Sequence, residues 1–192
     1  MAKKKFNEAE AVDKALDLFW EKGYEATSMR DLIAHLNITT GSLYDSFGSK
    51  DKLFARCYDA YNAKYIKALM KELEKEASGS QAIVNFFNAM LQSHSGLRGE
   101  FGCFMTNTIT ELGYKKPPIA ERSIKQLAEV EEAFFKAVKR GQERGEIRTN
   151  IEAHELAAFL TTTFQGMNVM IKVHNNPLKL MGVVNMTLKM IK

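Results

Sequence analysis

Apolar residues recur along this chain with the period of an α-helix, and no run of alternating apolar and polar residues bounded by turn residues is found. Val12, Leu16, Phe19 and Trp20 fall at i, i+4, i+7 and i+8, and Lys22-Gly23 supplies a cation and a helix-ending glycine. A second helix is predicted to start at Thr27-Ser28, with Asp31 placed to complete the cap and Met29, Leu32, Ile33 and Leu36 as its inner stripe. Asn37 provides a left-handed turn. Thr39 caps a short third helix that runs through Tyr44 and Phe47 to Gly48. Ser49 then caps a long helix from Lys50 to about Ala77, with Leu53, Phe54, Cys57, Tyr58, Tyr61, Ile66, Leu69 and Leu73 on one side, and Ser78-Gly79-Ser80 breaks it.

Helical spacing continues over Gln81–His94, Cys103–Leu112, Ile119–Arg144, Ala153–Val173 and Leu178–Ile191, with Ile124, Leu127, Val130, Phe134 and Val138 as the stripe of the third of these. Gly96, Gly99, Gly102, Gly113, Pro117-Pro118, Gly145 and Asn175-Asn176-Pro177 mark the loops. The expected fold is all-α, with about nine helices. A three-helix domain spans residues 1–54 and a helical bundle spans 55–192, with the seam around Phe47–Lys50.

The first of these domains contains a helix-turn-helix over residues 27–46. Leu32, Ile33, Leu36, Ile38 and Leu43 form the wedge that sets the angle between its helices. Thr39, Thr40, Gly41, Ser42, Tyr44 and Ser46 project from the second helix as hydroxyls, a glycine and one aromatic, which suits close approach to phosphates and base edges. Ser28, Arg30 and Lys50 flank them. Four segments carry a family resemblance in order: Glu21-Lys-Gly-Tyr24, Thr27-Ser-Met-Arg-Asp-Leu32, Thr40-Gly-Ser-Leu-Tyr44 and Phe47-Gly-Ser-Lys-Asp-Lys-Leu-Phe54. From Ala9 to Tyr58 the chain resembles the DNA-binding domain of the TetR family of bacterial transcriptional regulators. The resemblance implies that Thr39–Ser46 is the recognition helix, that Thr40, Gly41, Ser42 and Tyr44 face DNA, and that Lys50 contacts a phosphate. Many members of the family carry lysine at the position of Thr40, His or Asn at Asp45 and an aromatic at Ser46, so this chain has one cation fewer there and one carboxylate more.

Charge complicates that picture. The 192-residue chain has a net charge of +4, yet residues 1–56 hold nine Lys/Arg and nine Asp/Glu. Bulk attraction to DNA is therefore absent from this segment, and local geometry must focus Lys3–Lys5, Arg30, Lys50 and Lys52 on one face. Two distant cysteines, Cys57 and Cys103, suit a reducing cytoplasm better than a disulfide scaffold. The basic start leads into no signal-type apolar run, and polar residues interrupt the apolar stretch Leu156–Ile171, so no membrane span is expected. Gly96, Gly99 and Gly102 lack the spacing of a dinucleotide loop, and His35, His94, His154 and His174 stand apart from any metal-ligand pattern. No catalytic residue, metal or cofactor is expected.

For the C-terminal part, the resemblance implies ligand binding and dimerisation through the last two helices. The pocket candidates are Tyr61, Phe87, Met90, Cys103, Phe104, Asn107, Phe134, Phe164, Met167 and Asn168. Gly102-Cys-Phe-Met-Thr-Asn107 is similar to a segment found in one subset of the family. Cys103 opens a helix, where unpaired N–H groups favour thiolate, while Cys57 lies on a buried stripe and reads as inert. Leu156, Phe159, Leu160, Met181, Val184 and Leu188 are the dimer-interface candidates. The expected function is a cytoplasmic, homodimeric repressor that binds a palindromic operator and responds to a small apolar or electrophilic effector. The competing class is a helical small-molecule-binding protein without DNA function.

Overall fold

The computed structural model describes residues 6–94, 99–115, 117–173 and 177–192; Lys3–Lys5, Gly96, His174, Asn175 and Asn176, all named above, lie outside them. The first three helices are α1 (Glu8–Lys22), α2 (Met29–Leu36) and α3 (Thr40–Phe47). Next comes α4, which runs from Lys50–Tyr61 through a π-helical turn, Asn62–Ile66, into Lys67–Lys75. The remaining helices are α5 (Gly79–Ser93), α6 (Phe104–Leu112), α7 (Pro117–Glu143), α8 (Ala153–Val173) and α9 (Pro177–Ile191). With α4 taken as one rod, the described residues form nine helices, one short 3₁₀ turn and no strand.

Local chemistry sets most boundaries where the sequence places them. Ser28, Thr39, Ser49 and Ser78 each cap a helix with their hydroxyl, and Gly23 and Gly48 end theirs at φ of 86° and 76°. Three expectations need correction. Pro117-Pro118 opens α7 instead of marking a loop, because the first turn of a helix needs no N–H from proline. Ile124 is half exposed, and the polar Ser123 and Gln126 are buried beside it. The long helix stops at Lys75 and is not uniform: Lys67 N–H bonds back to the Asn62 carbonyl, five residues earlier. The apolar stripe steps by five residues between Tyr61 and Ile66, which a regular α-helix cannot keep on one face, and the π turn absorbs that step.

The core is continuous across the two parts of the chain. In the first part, Leu16 and Phe19 of α1 pack on Leu53 and Phe54 of α4, with Phe19 edge-on to Phe54 at 5.0 Å. Trp20, Tyr61 and Phe104 join this part to the bundle as mutually contacting rings. Within the bundle, Phe86, Phe87, Phe134 and Phe164 form a second aromatic cluster.

Glu146, in the turn between α7 and α8, holds the start of α5. Its carboxylate accepts from the Arg144 guanidinium at 2.7 Å, the Ser78 hydroxyl at 2.7 Å and the Ser80 N–H at 3.2 Å, bonds that lower its pKa from 4.5 to about 2. A depressed carboxylate pKa stabilises the fold above the ordinary value, and that contribution disappears as pH falls through the folded value. The melting-temperature gap between wild type and Glu146→Gln is therefore expected to be constant above about pH 5. It should close between pH 4.5 and 2, as read by circular dichroism.

Candidate nucleic-acid interface and adjoining cavity

The helix-turn-helix is fixed by a small set of hydrogen bonds. The Asp31 N–H donates to Ser28 Oγ at 3.1 Å while the Asp31 carboxylate accepts the Ser28 N–H at 2.9 Å, a closed capping box. Asn37 takes φ 53° and ψ 48°, the left-handed turn expected of it. Leu32, Leu36 and Leu43 are buried as the wedge, with Ile33 and Ile38 partly buried against it. At the start of α3, Thr39 Oγ1 accepts the Ser42 N–H at 3.2 Å and bonds the Ser42 hydroxyl at 2.9 Å.

What remains outward on α3 is Thr40, Gly41, Tyr44 and Asp45, with Ser42 and Ser46 partly exposed beside them. Tyr44 is 49% exposed, and a Cβ built on Gly41 meets no atom within 4 Å. Ser28, Arg30 and Thr39 are exposed as well. Lys50, in the first turn of α4, lies with its ammonium 4.1 Å from the centre of the Tyr24 ring. The Tyr24 hydroxyl donates to the Asp51 carboxylate, and burial, then Asp51, pushes the phenol well above its usual range. Asp31 and Asp51 are held by hydroxyls and Glu8 by Arg56 at 3.1 Å, so several carboxylates of this part serve its own fold.

Behind the helix-turn-helix lies a cavity of about 300 Å³. Trp20 of α1 and Tyr61, Tyr65, Ile66 and Leu69 of α4 line one side of it. Ser93 and His94 at the end of α5, Cys103 before α6, and Phe164 and Asn168 of α8 line the rest. The sequence candidates Tyr61, Cys103, Phe164 and Asn168 thus come together here. Phe104 stands one layer behind, against Trp20 and Tyr61, and Phe87 and Phe134 stack on each other in the bundle core. Met90 and Met167 are buried but do not line the cavity. Asn107 faces a shallower cleft, where Nδ2 donates to the Phe101 carbonyl at 2.8 Å and Oδ1 accepts from Lys172 at 3.2 Å.

Trp20, Tyr65, Ile66, Leu69, Ser93 and His94 are cavity residues that sequence reasoning missed. The five-residue step in the α4 stripe is the signal that could have found those on α4, because a π turn re-aims the side chains beside it. Both cysteines are buried: Cys57 has its thiol pushed up by desolvation, and Cys103 has its sulfur 3.2 Å from the Tyr61 hydroxyl.

The cavity touches the DNA-binding part directly. Trp20 Nε1–H donates to the Gly102 carbonyl at 3.0 Å, one residue before Cys103. At the other end of α6, the Glu111 carboxylate accepts the N–H groups of Tyr24 at 3.0 Å and Glu25 at 2.8 Å, in the loop that leads to α2. Gly23 makes room for this grip, since a Cβ there would sit 2.9 Å from a Glu111 oxygen.

On the last two helices, Leu156, Leu160 and Val184 turn into the protomer core, and Met181 and Leu188 are partly buried. Of the six dimer-interface candidates, Phe159 alone is exposed. The outward apolar side chains are Phe159, Val169, Met170 and Val173 on α8, with Val183, Met186 and Met190 on α9. Both helices are apolar around much of their circumference, so hydrophobicity alone could not separate the inner stripe from the outer one.

Comparison with known proteins places this architecture. The profile described as "Bacterial regulatory proteins, tetR family" matches residues 11–57, and "Tetracyclin repressor-like, C-terminal domain" matches residues 79–186. The HTH-type transcriptional repressor ComR of Escherichia coli (strain K12) is 31% identical over 188 residues, 97% of this chain and 90% of that protein. The uncharacterized HTH-type transcriptional regulator YezE of Bacillus subtilis (strain 168) is 29% identical over 98% of this chain and 97% of its own length. Among solved structures, a cysteine-substituted variant of the regulator CifR, complexed with 26-bp operator DNA, superposes with a TM-score of 0.89. That pair shares 23% identity and covers 100% of both chains, which speaks to the fold. With residues 11–57 and 79–186 both matched and a relative 31% identical over 97% of its length, this chain belongs to the TetR family of bacterial transcriptional regulators.

Proposed function

We propose that this protein is a ligand-responsive transcriptional repressor that works in the cytoplasm as a homodimer on a palindromic operator, by binding and not by catalysis. Residues 1–54 form its DNA-binding unit and 55–192 its effector and dimerisation unit, with α4 shared between them. In this reading α3 enters the major groove. Thr40, Gly41 and Tyr44 approach base edges while Ser28, Arg30, Thr39, Ser42, Ser46 and Lys50 engage the backbone. The outward apolar stripes of α8 and α9 meet their two-fold copies, and the open positions of Gly166 and Gly182 let the helices approach closely. Two-fold symmetry then sets half-sites about 34–36 Å apart, or a multiple of that.

The observation that carries the proposal is Trp20: a residue of the DNA-binding unit is itself a wall of the cavity. A molecule that fills the cavity bears on Trp20 and on the π turn of α4 together. The contact at Gly102 and the grip of Glu111 pass that displacement to the loop before α2. The recognition helices of the dimer then lose their operator spacing, and affinity falls by the difference in ligand affinity between the two arrangements.

Glu111 offers a specific test. Glu111→Ala leaves two backbone N–H groups without their charged acceptor. Operator affinity is expected to fall roughly tenfold, about 1.4 kcal/mol. Release of the operator by effector should be blunted, while the dimer stays intact by sedimentation. Fluorescence anisotropy of labelled operator with and without effector reads both. Unchanged affinity and unchanged release would remove α6 from the coupling route.

A further inference from the structure

Asp45 is the one charged residue of α3, and the helix itself does not call for it. It lies in the last turn, where unpaired carbonyls favour a cation and disfavour a carboxylate. The other aspartates nearby serve the fold: Asp31 closes a capping box, Asp51 accepts from Tyr24, and Asp59 pairs with Arg122 at 3.2 Å. Lys52 and Arg56 line the same open groove as Asp45 but are placed elsewhere. Arg56 pairs with Glu8 at 3.1 Å and lies over the Phe47 ring, and the stem of Lys52 runs beside Gly48. Among the described residues no hydrogen bond or ion pair holds the Asp45 carboxylate.

The helical period puts Asp45 at the centre of the outward face. Leu43 and Phe47 are buried and mark the inner side of α3. Asp45 stands midway between them in sequence, roughly 200° around the helix from each, and it is exposed. Gly41, one turn earlier on the same face, has open space around it. A glycine at that point lets the helix backbone approach the floor of a groove, and a side chain as short as aspartate reaches a base edge only at such close approach. Thr40 and Tyr44 flank the pair on one side, Ser42 and Ser46 on the other.

We infer that Asp45 is a specificity-determining residue that reads a cytosine in each half-site by accepting a hydrogen bond from the cytosine N4 amino group. This rests on the reading of α3 as the recognition helix. A carboxylate offers acceptors alone, so in the major groove it can bond the amino groups of cytosine and adenine and no other base. The adenine amino group stands between two acceptors, its own N7 and the thymine O4. The cytosine amino group has a single neighbouring acceptor, the guanine O6, so it repels the carboxylate less. Phosphates repel the charge on every sequence. Asp45 therefore costs affinity on most DNA, and the cost is offset where a cytosine donor stands opposite it. A carboxylate elsewhere on this face, with no donor to meet, is left with the repulsion alone.

The test is selection from a random double-stranded DNA library by the full-length dimer, run in parallel for wild type, Asp45→Ala, Asp45→Asn and Tyr44→Ala. Wild type is expected to select a two-fold-symmetric site with a C·G pair in each half-site whose preference disappears in Asp45→Ala while the other positions keep theirs. Asp45→Asn should move that position to an A·T pair, because a carboxamide bonds adenine N6 and N7 together. On the selected site, changing the C·G pair to T·A replaces a donor with an acceptor. Wild-type affinity should fall about tenfold with one half-site changed and about a hundredfold with both, with Asp45→Ala nearly indifferent. A site that is lost in Tyr44→Ala but selected unchanged by Asp45→Ala would overturn the inference and leave the recognition helix standing. An A·T pair at the responding position in wild type would overturn it equally. A wild type that selects no site at all would remove the reading of α3 along with the inference.

Discussion

Gly41→Glu is expected to reduce operator affinity by at least about a hundredfold, beyond the detection limit of a shift assay, while the melting transition and the dimer stay unchanged. The physical basis is the open space around Gly41: a Cβ there meets no atom within 4 Å, so the fold accommodates a side chain at this position without a clash at its root. A carboxylate on the face that approaches DNA, however, meets phosphates of the same sign at short range, and each lost or reversed phosphate contact is strongly salt-dependent. Tyr44→Ala works by subtraction. The side chain is half exposed on α3, four residues after Thr40 and on the same side of the helix, so its removal leaves the wedge of Leu32, Leu36 and Leu43 untouched. Lys50→Ala should instead weaken all DNA sequences alike and flatten the salt slope by about one unit. Operator binding by Tyr44→Ala equal to wild type would mean that the DNA face has been misplaced on α3.

The second large effect concerns the outward stripe of α8 and α9. Val169→Glu combined with Met186→Glu should convert the dimer to monomer at micromolar concentration and abolish operator binding with it. Val169 and Met186 are 45% and 60% exposed in the protomer, so the substitutions leave the inner core alone. Across a two-fold axis each introduced carboxylate faces the same group on the other copy or its apolar surroundings, and both are unfavourable. Binding to two half-sites gains about 10²–10⁴ over one through effective concentration, and a monomer forfeits that gain. Leu156→Ala and Leu160→Ala lie on the other side of α8 and should behave differently. They should lower the melting temperature by the cavity created in the core while the surviving folded protein remains dimeric. Sedimentation equilibrium separates the two patterns.

The sequence was informative where local chemistry decides structure, and less so where packing decides it. Ser28 with Asp31, Asn37, Thr39 and Ser49 are short-range devices, and each sits in the structure as its neighbours require. Helix α3 was legible for the same reason: its boundaries are capped locally and its inner residues repeat with helical period. The cavity was not, because its walls come from four helices and the residue before a fifth, and its position depends on a change of phase. The π turn at Asn62–Ile66 lets Tyr65 and Ile66 line the space beside Tyr61. Trp20 falls on the apolar stripe of α1 and packs there; that the same ring also faces a void is a property of the assembled helices. Likewise Leu156, Leu160 and Val184 are apolar at helical spacing, which reveals burial without saying whether the covering surface belongs to the same chain.

The measurement that bears most directly on the account is footprinting, with the purified dimer, of DNA upstream of its own gene, in wild type and Tyr44→Ala side by side. A protected region made of two half-sites related by two-fold symmetry, seen with wild type and absent with Tyr44→Ala, is the predicted result. Protection that lacks two-fold symmetry, or that persists unchanged in Tyr44→Ala, would contradict it.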